Sequence, residues 1–425
     1  MDDRVAAVVK SRKSARGRKK LDRAVLCEHV SAVPVNEREN HRKIQQASNT
    51  SSYLVQQLIK EGYMRRALRQ TRPLLTASHR VARLKFAVNH VKLNGDGQYY
   101  FDPMFDVVHI DEKWFYVKKI GQRVYVLTGK DGTPLEEAPV QYVQSKRHIK
   151  KVMFLCAVAR PRGDWDGKIG LWPVVETYIT QRWSVNRPAG VEEIKPVSMN
   201  RTLARRMLVT DVIPAIKAKW PQDQKATLIR IQQDNARPHV LEEDAEVLAA
   251  GRADGWNIRL KNQPAQSPDL NCLDLGYLCS IQSLQSHTSP RTTEDLIKEV
   301  ELTFAETTAE TLNKTFLTLQ LVMKEIMTNE GRNNYRLPHI HKDKLINAGQ
   351  LPTTLMCDAE ILFSAHSAIA MLSVEQIYAE QLRAAQPRPV SCAGQRPSPP
   401  QLIPQHQPSL LPSAFATSDL DPFLL

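Results

Sequence analysis

Cysteine is sparse in this chain, and a signal-like leader, a long apolar run and an internal repeat are all missing. The six cysteines (Cys27, Cys156, Cys272, Cys279, Cys357 and Cys392) are scattered, with no C-x-x-C pair and no histidine at zinc-finger spacing. That pattern argues against a structural zinc site and against a secreted disulfide framework. Cys156 sits inside an apolar run and reads as a small buried hydrophobe. Without a secretory leader or an apolar stretch long enough to span a bilayer, the expectation is a reducing, intracellular protein with no membrane partner.

What the chain does have is positive charge in one place. Residues 1–92 hold 21 Lys and Arg against 7 Asp and Glu, whereas the remainder holds 37 against 38. The whole formal excess of +13 therefore lies in the first fifth of the 425 residues. A front-loaded basic region points to a polyanion, because each phosphate neutralised releases condensed counterions. The plain alternative is a solvated basic tail. The run Lys10-Ser-Arg-Lys-Ser-Ala-Arg-Gly-Arg-Lys-Lys20 reads as a nuclear localisation signal or a DNA-contacting arm, which sets nuclear residence as the expectation.

Composition divides the chain into a basic arm (1–20), a helix-patterned region (21–92), a β-rich α/β region (103–355), a candidate helix (356–385) and a Pro-rich end. Nine of the 26 prolines fall between Gln386 and Leu425, and that tail reads as disordered. In the second region the spacing predicts helices over Leu21–Val33, Asn36–Ala47 and Ser51–Gly62. The predicted apolar faces are Leu21, Ala24, Val25 and Val30 in the first helix, and Tyr53, Leu54, Leu58 and Ile59 in the third. A turn at Asn49-Thr-Ser, with Ser51 or Ser52 as cap, gives a helix-turn-helix whose last helix would enter the major groove. A small bundle with no role on DNA would give the same spacing. Arg16 and Arg18 suit a narrow minor groove. With Lys19, Lys20, Arg42, Lys43, Ser52, Gln56 and Lys60 they form the candidate DNA contacts.

From residue 103 the pattern predicts a strand at Val107–Ile110, a hairpin of Trp114–Val117 with Arg123–Leu127, and strands at Lys151–Val158, Ala226–Gln232 and Trp256–Leu260. Helices are predicted at Leu203–Trp220, Glu242–Ala250, Thr292–Ala305 and Leu312–Thr328, the last two packed outside. Three antiparallel strands followed by alternating helix and strand is the order of an RNase H-like α/β fold.

Two acids stand at the ends of β-like runs: Asp111 after Val107-Val-His-Ile110, and Asp234 after Ile229-Arg-Ile-Gln-Gln233. A carboxylate at a sheet rim faces a cation, a partner or water, because burying it alone is costly. Hard oxygen ligands suit Mg²⁺ or Mn²⁺, and two such ions about 3.5–4 Å apart serve phosphoryl transfer when a third carboxylate completes the set. Either Asp269 or Asp274 can supply it. Pro268 makes a turn there, which favours Asp269 as a helix cap and Asp274 as the ligand. Glu112 would point to the opposite side of a strand from Asp111 and suits a salt bridge better than a metal. Lys113 and Trp114 are candidates for DNA contact, Trp114 equally for the core. Asn235, Arg237 and His239 are candidates for supporting the metal ligands or contacting phosphate. His109 reads as packed against the sheet.

The blocks HIDEKWF (109–115), QQDNARPH (232–239) and QSPDLNCLDLGYL (266–278) resemble the three catalytic blocks of mariner-like DNA transposases. The 39 residues between Asp234 and Asp274 match one subgroup. KVMFLCAVARPRGDWDGKIGLWP (151–173), VIPAIKAKWP (212–221) and NEGRNNYRLPHIHKDKL (329–345) also resemble that subgroup, so the likeness covers about residues 10–355. It implies a retroviral-integrase-type RNase H-like catalytic domain behind an all-α helix-turn-helix domain. It also implies two Mg²⁺ or Mn²⁺ ions held by Asp111, Asp234 and Asp274, with Asp111 bridging both. The implied activity is cut-and-paste: a homodimer binds terminal inverted repeats in double-stranded DNA, cleaves both strands and joins the 3′ ends to TA sites. No small-molecule substrate is implied. Relatives pair two helix-turn-helix units and only the second is legible here, so weakened repeat binding is an expectation. A catalytically silent, transposase-derived DNA-binding protein is the alternative reading.

Overall fold

The computed structural model describes residues 21–67, 71–118, 127, 137, 140, 149–183, 188–285, 288 and 290–385. The basic arm with Arg16, Arg18, Lys19 and Lys20, the predicted strand at 123–126 and the Pro-rich end lie outside them.

Three short helices open the described chain: α1 (Arg23–Ser31), α2 (His41–Ser48) and α3 (Ser52–Lys60). Their small core is Leu26, Val30, Ile44, Val55 and Leu58. This corrects two expected apolar faces, since Leu21, Val25 and Tyr53 are exposed while Leu26 and Val55 are buried. The second helix also begins at His41, not Asn36. Asn40 caps it by accepting from the Lys43 N–H, and Arg38 upstream donates instead to the Val33 and Ser31 carbonyls. Asn49 supplies the left-handed residue of the turn (φ 50°), and the Ser51 hydroxyl accepts from Leu54 N–H to start α3.

Helix α4 (Ala77–Asn89) starts at a capping box formed by Thr76 and His79. It packs into the α/β body through Val81, Leu84 and Ala87, so it does not belong with the three small helices. Strands β1 (Val91–Leu93) and β2 (Tyr99–Phe101) follow, then β3 (Val107–Tyr116), β4 (Lys151–Ala159), β5 (Lys168–Ile179) and β6 (Glu192–Pro196). Next come α5 (Arg201–Met207) and α6 (Ile213–Lys219), joined by a wide π turn, then β7 (Leu228–Gln233), α7 (Ala245–Arg252) and β8 (Asn257–Asn262). Four helices complete that body: α8 (Leu278–Gln285), α9 (Thr293–Glu306), α10 (Ala309–Thr328) and α11 (Lys342–Asn347). Strand β9 (Met356–Cys357) pairs with β2, and α12 (Ala359–Ala385) follows it.

The main sheet has the order β6-β5-β4-β3-β7-β8. β3, β4, β5 and β6 run antiparallel in turn, while β7 and β8 run parallel to β3. Alternating side chains send Val107, Phe115, Phe154 and Cys156 to one face, beneath α4, α8, α9, α10 and α12. Val108, Ile110, Leu155 and Ala157 face the other side, beneath α5, α6 and α7. This three-layer arrangement is the RNase H-like α/β fold, preceded by the all-α helical unit. Helix α10 is no outer helix: Leu312, Phe316, Leu319, Val322 and Met323 are buried in the first core. Among the described residues the third antiparallel strand is β5, which carries Gly170 and Pro173, and Trp114–Tyr116 of the predicted hairpin continue β3.

Candidate active site

Asp111 lies within β3, opposite Cys156 of β4, and not at the strand's end as expected. The strand continues through Glu112, Lys113 and Trp114 because their backbones keep pairing with Leu155, Phe154 and Met153. Asp111 shares its face with the apolar core; Cys156 and Cys272 are fully buried nearby. Burial, followed by the charges of Asp274, Glu112 and Asp234, pushes its carboxyl well above the ordinary aspartate range.

Asp274 occupies a wide π turn (Leu273–Tyr277) that leads into α8. Gly276 has φ 132°, open to glycine, and this breaks the helix just after Asp274. Burial raises the Asp274 carboxyl, while a hydrogen bond from the Asp111 carboxyl and the Lys113 charge pull it partly back.

Asp234 follows the last residue of β7, as the sequence predicts. Its Oδ1 lies 2.5 Å from His239 Nδ1. His239 Nε2 lies 3.1 Å from Glu112 Oε2, so the imidazole bridges the two carboxylates. Burial alone would raise Asp234, but the His239 hydrogen bond and charge bring it below the ordinary range. Burial would lower His239; its two carboxylate partners prevail and keep it an imidazolium at neutral pH. Among the described residues, no three His, Cys, Asp or Glu side chains are grouped tightly enough to hold a metal ion as they stand. Asp111 and Asp274 meet, whereas Asp234 is turned onto His239.

The residues present nonetheless fit a hard divalent cation. Their donors are carboxylate oxygens, and the Asp111–Asp274 pair is raised by burial and mutual repulsion, an excess of negative charge that such a cation relieves.

Several positioning groups escaped the sequence reading. Asn271 is 1% exposed; its Nδ2 donates to the Ile110 carbonyl at 2.9 Å and its Oδ1 accepts from Leu273 N–H at 3.1 Å. It therefore ties the Asp274 turn to the strand residue preceding Asp111. Gln232 Nε2 donates to the Leu270 carbonyl at 2.8 Å, and Gln233 Nε2 to the Val240 carbonyl at 2.7 Å, fixing both loops to β7. Their only signal was membership of the blocks around the acids.

Asp269 is not a helix cap. Both its oxygens are held by Arg83 of α4, Nη1–Oδ1 at 2.6 Å and Nη2–Oδ2 at 2.7 Å, and Tyr335 donates its hydroxyl to Oδ2. Arg83 is fully buried and also donates from Nε to the Gly331 carbonyl. A groove lined by Arg72, Gln266, Asp269, Asn334 and Arg336 includes none of the three candidate ligands.

The other candidates sit as follows. Asn235 and Arg237 are exposed on the loop after Asp234. His109 is fully buried against Phe316, with no hydrogen-bond partner of good geometry for either ring nitrogen, and is held neutral by burial and by nearby His90. Lys151 stacks over the half-buried Trp114 at 4.1 Å from the ring centre. Arg42 and Lys43 are exposed on α2, Lys43 in an ion pair with Glu39. Ser52, Gln56 and Lys60 line one side of α3, with Gln56 and Lys60 exposed.

No protein-family model and no curated protein sequence matches the chain. Among solved structures, it is similar to the mariner Mos1 paired-end complex with Mg, at 15% identity and a TM-score of 0.50, over 78% of this chain and 85% of that one. A pre-cleavage Mos1 transpososome gives 15% identity and a TM-score of 0.49, over 79% and 83%. The catalytic domain of the Mos1 mariner transposase gives 14% and 0.38, over 63% and 100%. At these identities the likeness is one of fold: the chain has the RNase H-like architecture with an α-helical unit before it.

Proposed function

We propose that this chain is a metal-dependent DNA transposase of the mariner-like kind. The observation that carries the reading is Asp111 on β3 beside Asp274, with Asp234 just past the end of the neighbouring strand β7 of an RNase H-like sheet. Asp111, Asp234 and Asp274 would hold Mg²⁺ or Mn²⁺, and two such ions activate an attacking oxygen and stabilise a leaving one in phosphoryl transfer. His239 keeps Asp234 ionised and oriented, and Glu112 anchors the far side of its ring. Asn271 and Gln232 hold the Asp274 loop against the sheet. On the helical unit, Gln56 and Lys60 offer a face to a DNA groove, and the basic residues 1–20 an arm for phosphate.

In this reading the substrate is double-stranded DNA carrying the inverted repeats of its own element, and the cleaved 3′ ends join to TA sites. Two chains act together in the nucleus, because two ends must be brought together. A second reading is a DNA-binding derivative without cleavage; it is favoured by the Asp234 carboxylate lying on His239 and apart from the other two acids. Repeat-end DNA offered with Mn²⁺ or Mg²⁺, beside an Asp234→Ala control, separates the two. Cleavage lost in the control supports the transposase; binding without cleavage supports the derivative.

A further inference from the structure

Helix α12 buries Leu362, Ala365 and Leu372 against the catalytic body, with Ile361, Ala368 and Ile369 partly covered. Its other side is also apolar. Phe363 (60% exposed), Met371 (75%), Val374 (67%), Ile377 (57%) and Tyr378 (63%) face outward. Between Ile361 and Tyr378 the only carboxylate is Glu375, and there is no Lys or Arg. Five large apolar side chains, set among exposed Ser364, His366, Ser367 and Glu375, exceed what a solvated helix face needs, and that side has no cover within this chain's described residues.

The outward positions are spaced for another helix. Phe363, Ser367, Ala370, Val374, Ile377 and Gln381 recur at intervals of four, three, four, three and four residues. That alternation is the spacing of an a/d seam, with Phe363, Ala370, Val374 and Ile377 apolar, Ser367 and Gln381 polar but uncharged, and Met371 and Tyr378 flanking it. Ser367 and Ala370 at its middle are small enough to let two backbones approach. An uncharged seam offers nothing to a nucleic acid backbone. It is complementary to itself, since an apolar strip without charge repels no copy of itself.

We propose that the outward face of α12 is a self-association surface, on which a second copy of this chain packs its own α12 about a two-fold axis near Ala370. The five large side chains expose roughly 600 Å² per copy, somewhat below the roughly 800 Å² per partner of a standard stable interface. The association is therefore concentration-dependent. It requires neither DNA nor metal, so loss of this α12 contact would leave the metal-site reading untouched.

The test is sedimentation velocity on the full chain without DNA, over about 1 to 100 µM. Wild type should shift from monomer to dimer, and Val374→Glu with Ile377→Glu should weaken the association at least about tenfold. Both positions are exposed, so the helical content and melting of the double variant should match wild type. Separately, Ala370→Cys should form a covalent dimer on mild oxidation, above the background that the six native cysteines give in wild type. A wild type that stays monomeric overturns the proposal and leaves the strip to residues 386–425 or to another protein. So does a dimer that survives the double substitution with no cross-link at position 370.

Discussion

Replacing Asp269 with alanine leaves the Arg83 guanidinium buried and without its carboxylate, with the Gly331 carbonyl and the neutral Tyr335 hydroxyl beside it. Breaking a buried ion pair from one side destabilises by about 3–5 kcal/mol, because the surviving charge is neither hydrated nor paired. Arg83→Met has a milder effect. Asp269 is a quarter exposed and keeps the Tyr335 hydroxyl, so about 1–3 kcal/mol is expected. Once Arg83 is gone, deleting Asp269 should matter little, and the double variant should be far more stable than the sum of the singles implies. Urea unfolding followed by tryptophan fluorescence reads this out for the right body. All six tryptophans lie between Trp114 and Trp256, so the three-helix unit is silent. An Asp269→Ala variant within about 1 kcal/mol of wild type, or strict additivity of the pair, would refute the buried-charge argument.

Two further outcomes follow from the same packing. Gly331 has φ 81°, and a Cβ there would meet the Arg80 carbonyl oxygen at 2.5 Å, so Gly331→Ala should lose about 2–3 kcal/mol in urea unfolding. Gly349 also has positive φ (64°) but open space around it, so Gly349→Ala should lose only about 1 kcal/mol; equal losses would show that the contact is irrelevant. His90 is held below the ordinary histidine range by burial against Phe86, partly offset by its bond to the Phe86 carbonyl. The unfolded chain therefore takes up a proton first as pH falls below the ordinary value of about 6.5, and stability that is full above that pH declines below it. His90→Gln should flatten the dependence of the melting temperature between about pH 7.5 and 5.5; an unchanged slope would place the titration elsewhere.

Much of the candidate site's placement was legible because its acids sit inside short blocks whose neighbours lie in or beside the strands of the sheet. Asp234 directly follows the apolar run that becomes β7, and a periodic run is easy to read. Asp111 was placed at a strand end because Asp111, Glu112 and Lys113 interrupt the apolar alternation; pairing with β4 carries the strand on regardless. β5 was missed since Gly170 and Pro173 argue locally against a strand, and only its neighbour β4 overrides them. The role of Asp269 could not be read locally, because its partner Arg83 is 186 residues away. The clasp of His239 between Asp234 and Glu112 likewise joins two blocks that the sequence reading treated one at a time.

The central claim is that Asp111, Asp234 and Asp274 form one metal-dependent cutting site. Its most direct test is cleavage of repeat-end DNA in Mn²⁺ by wild type and by Asp111→Asn, Asp234→Asn and Asp274→Asn, with folding checked by tryptophan fluorescence. The account predicts that wild type cleaves, that chelation stops it, and that each single substitution abolishes cleavage while leaving DNA binding intact. Cleavage that persists in Asp274→Asn, or that survives chelation, would contradict it.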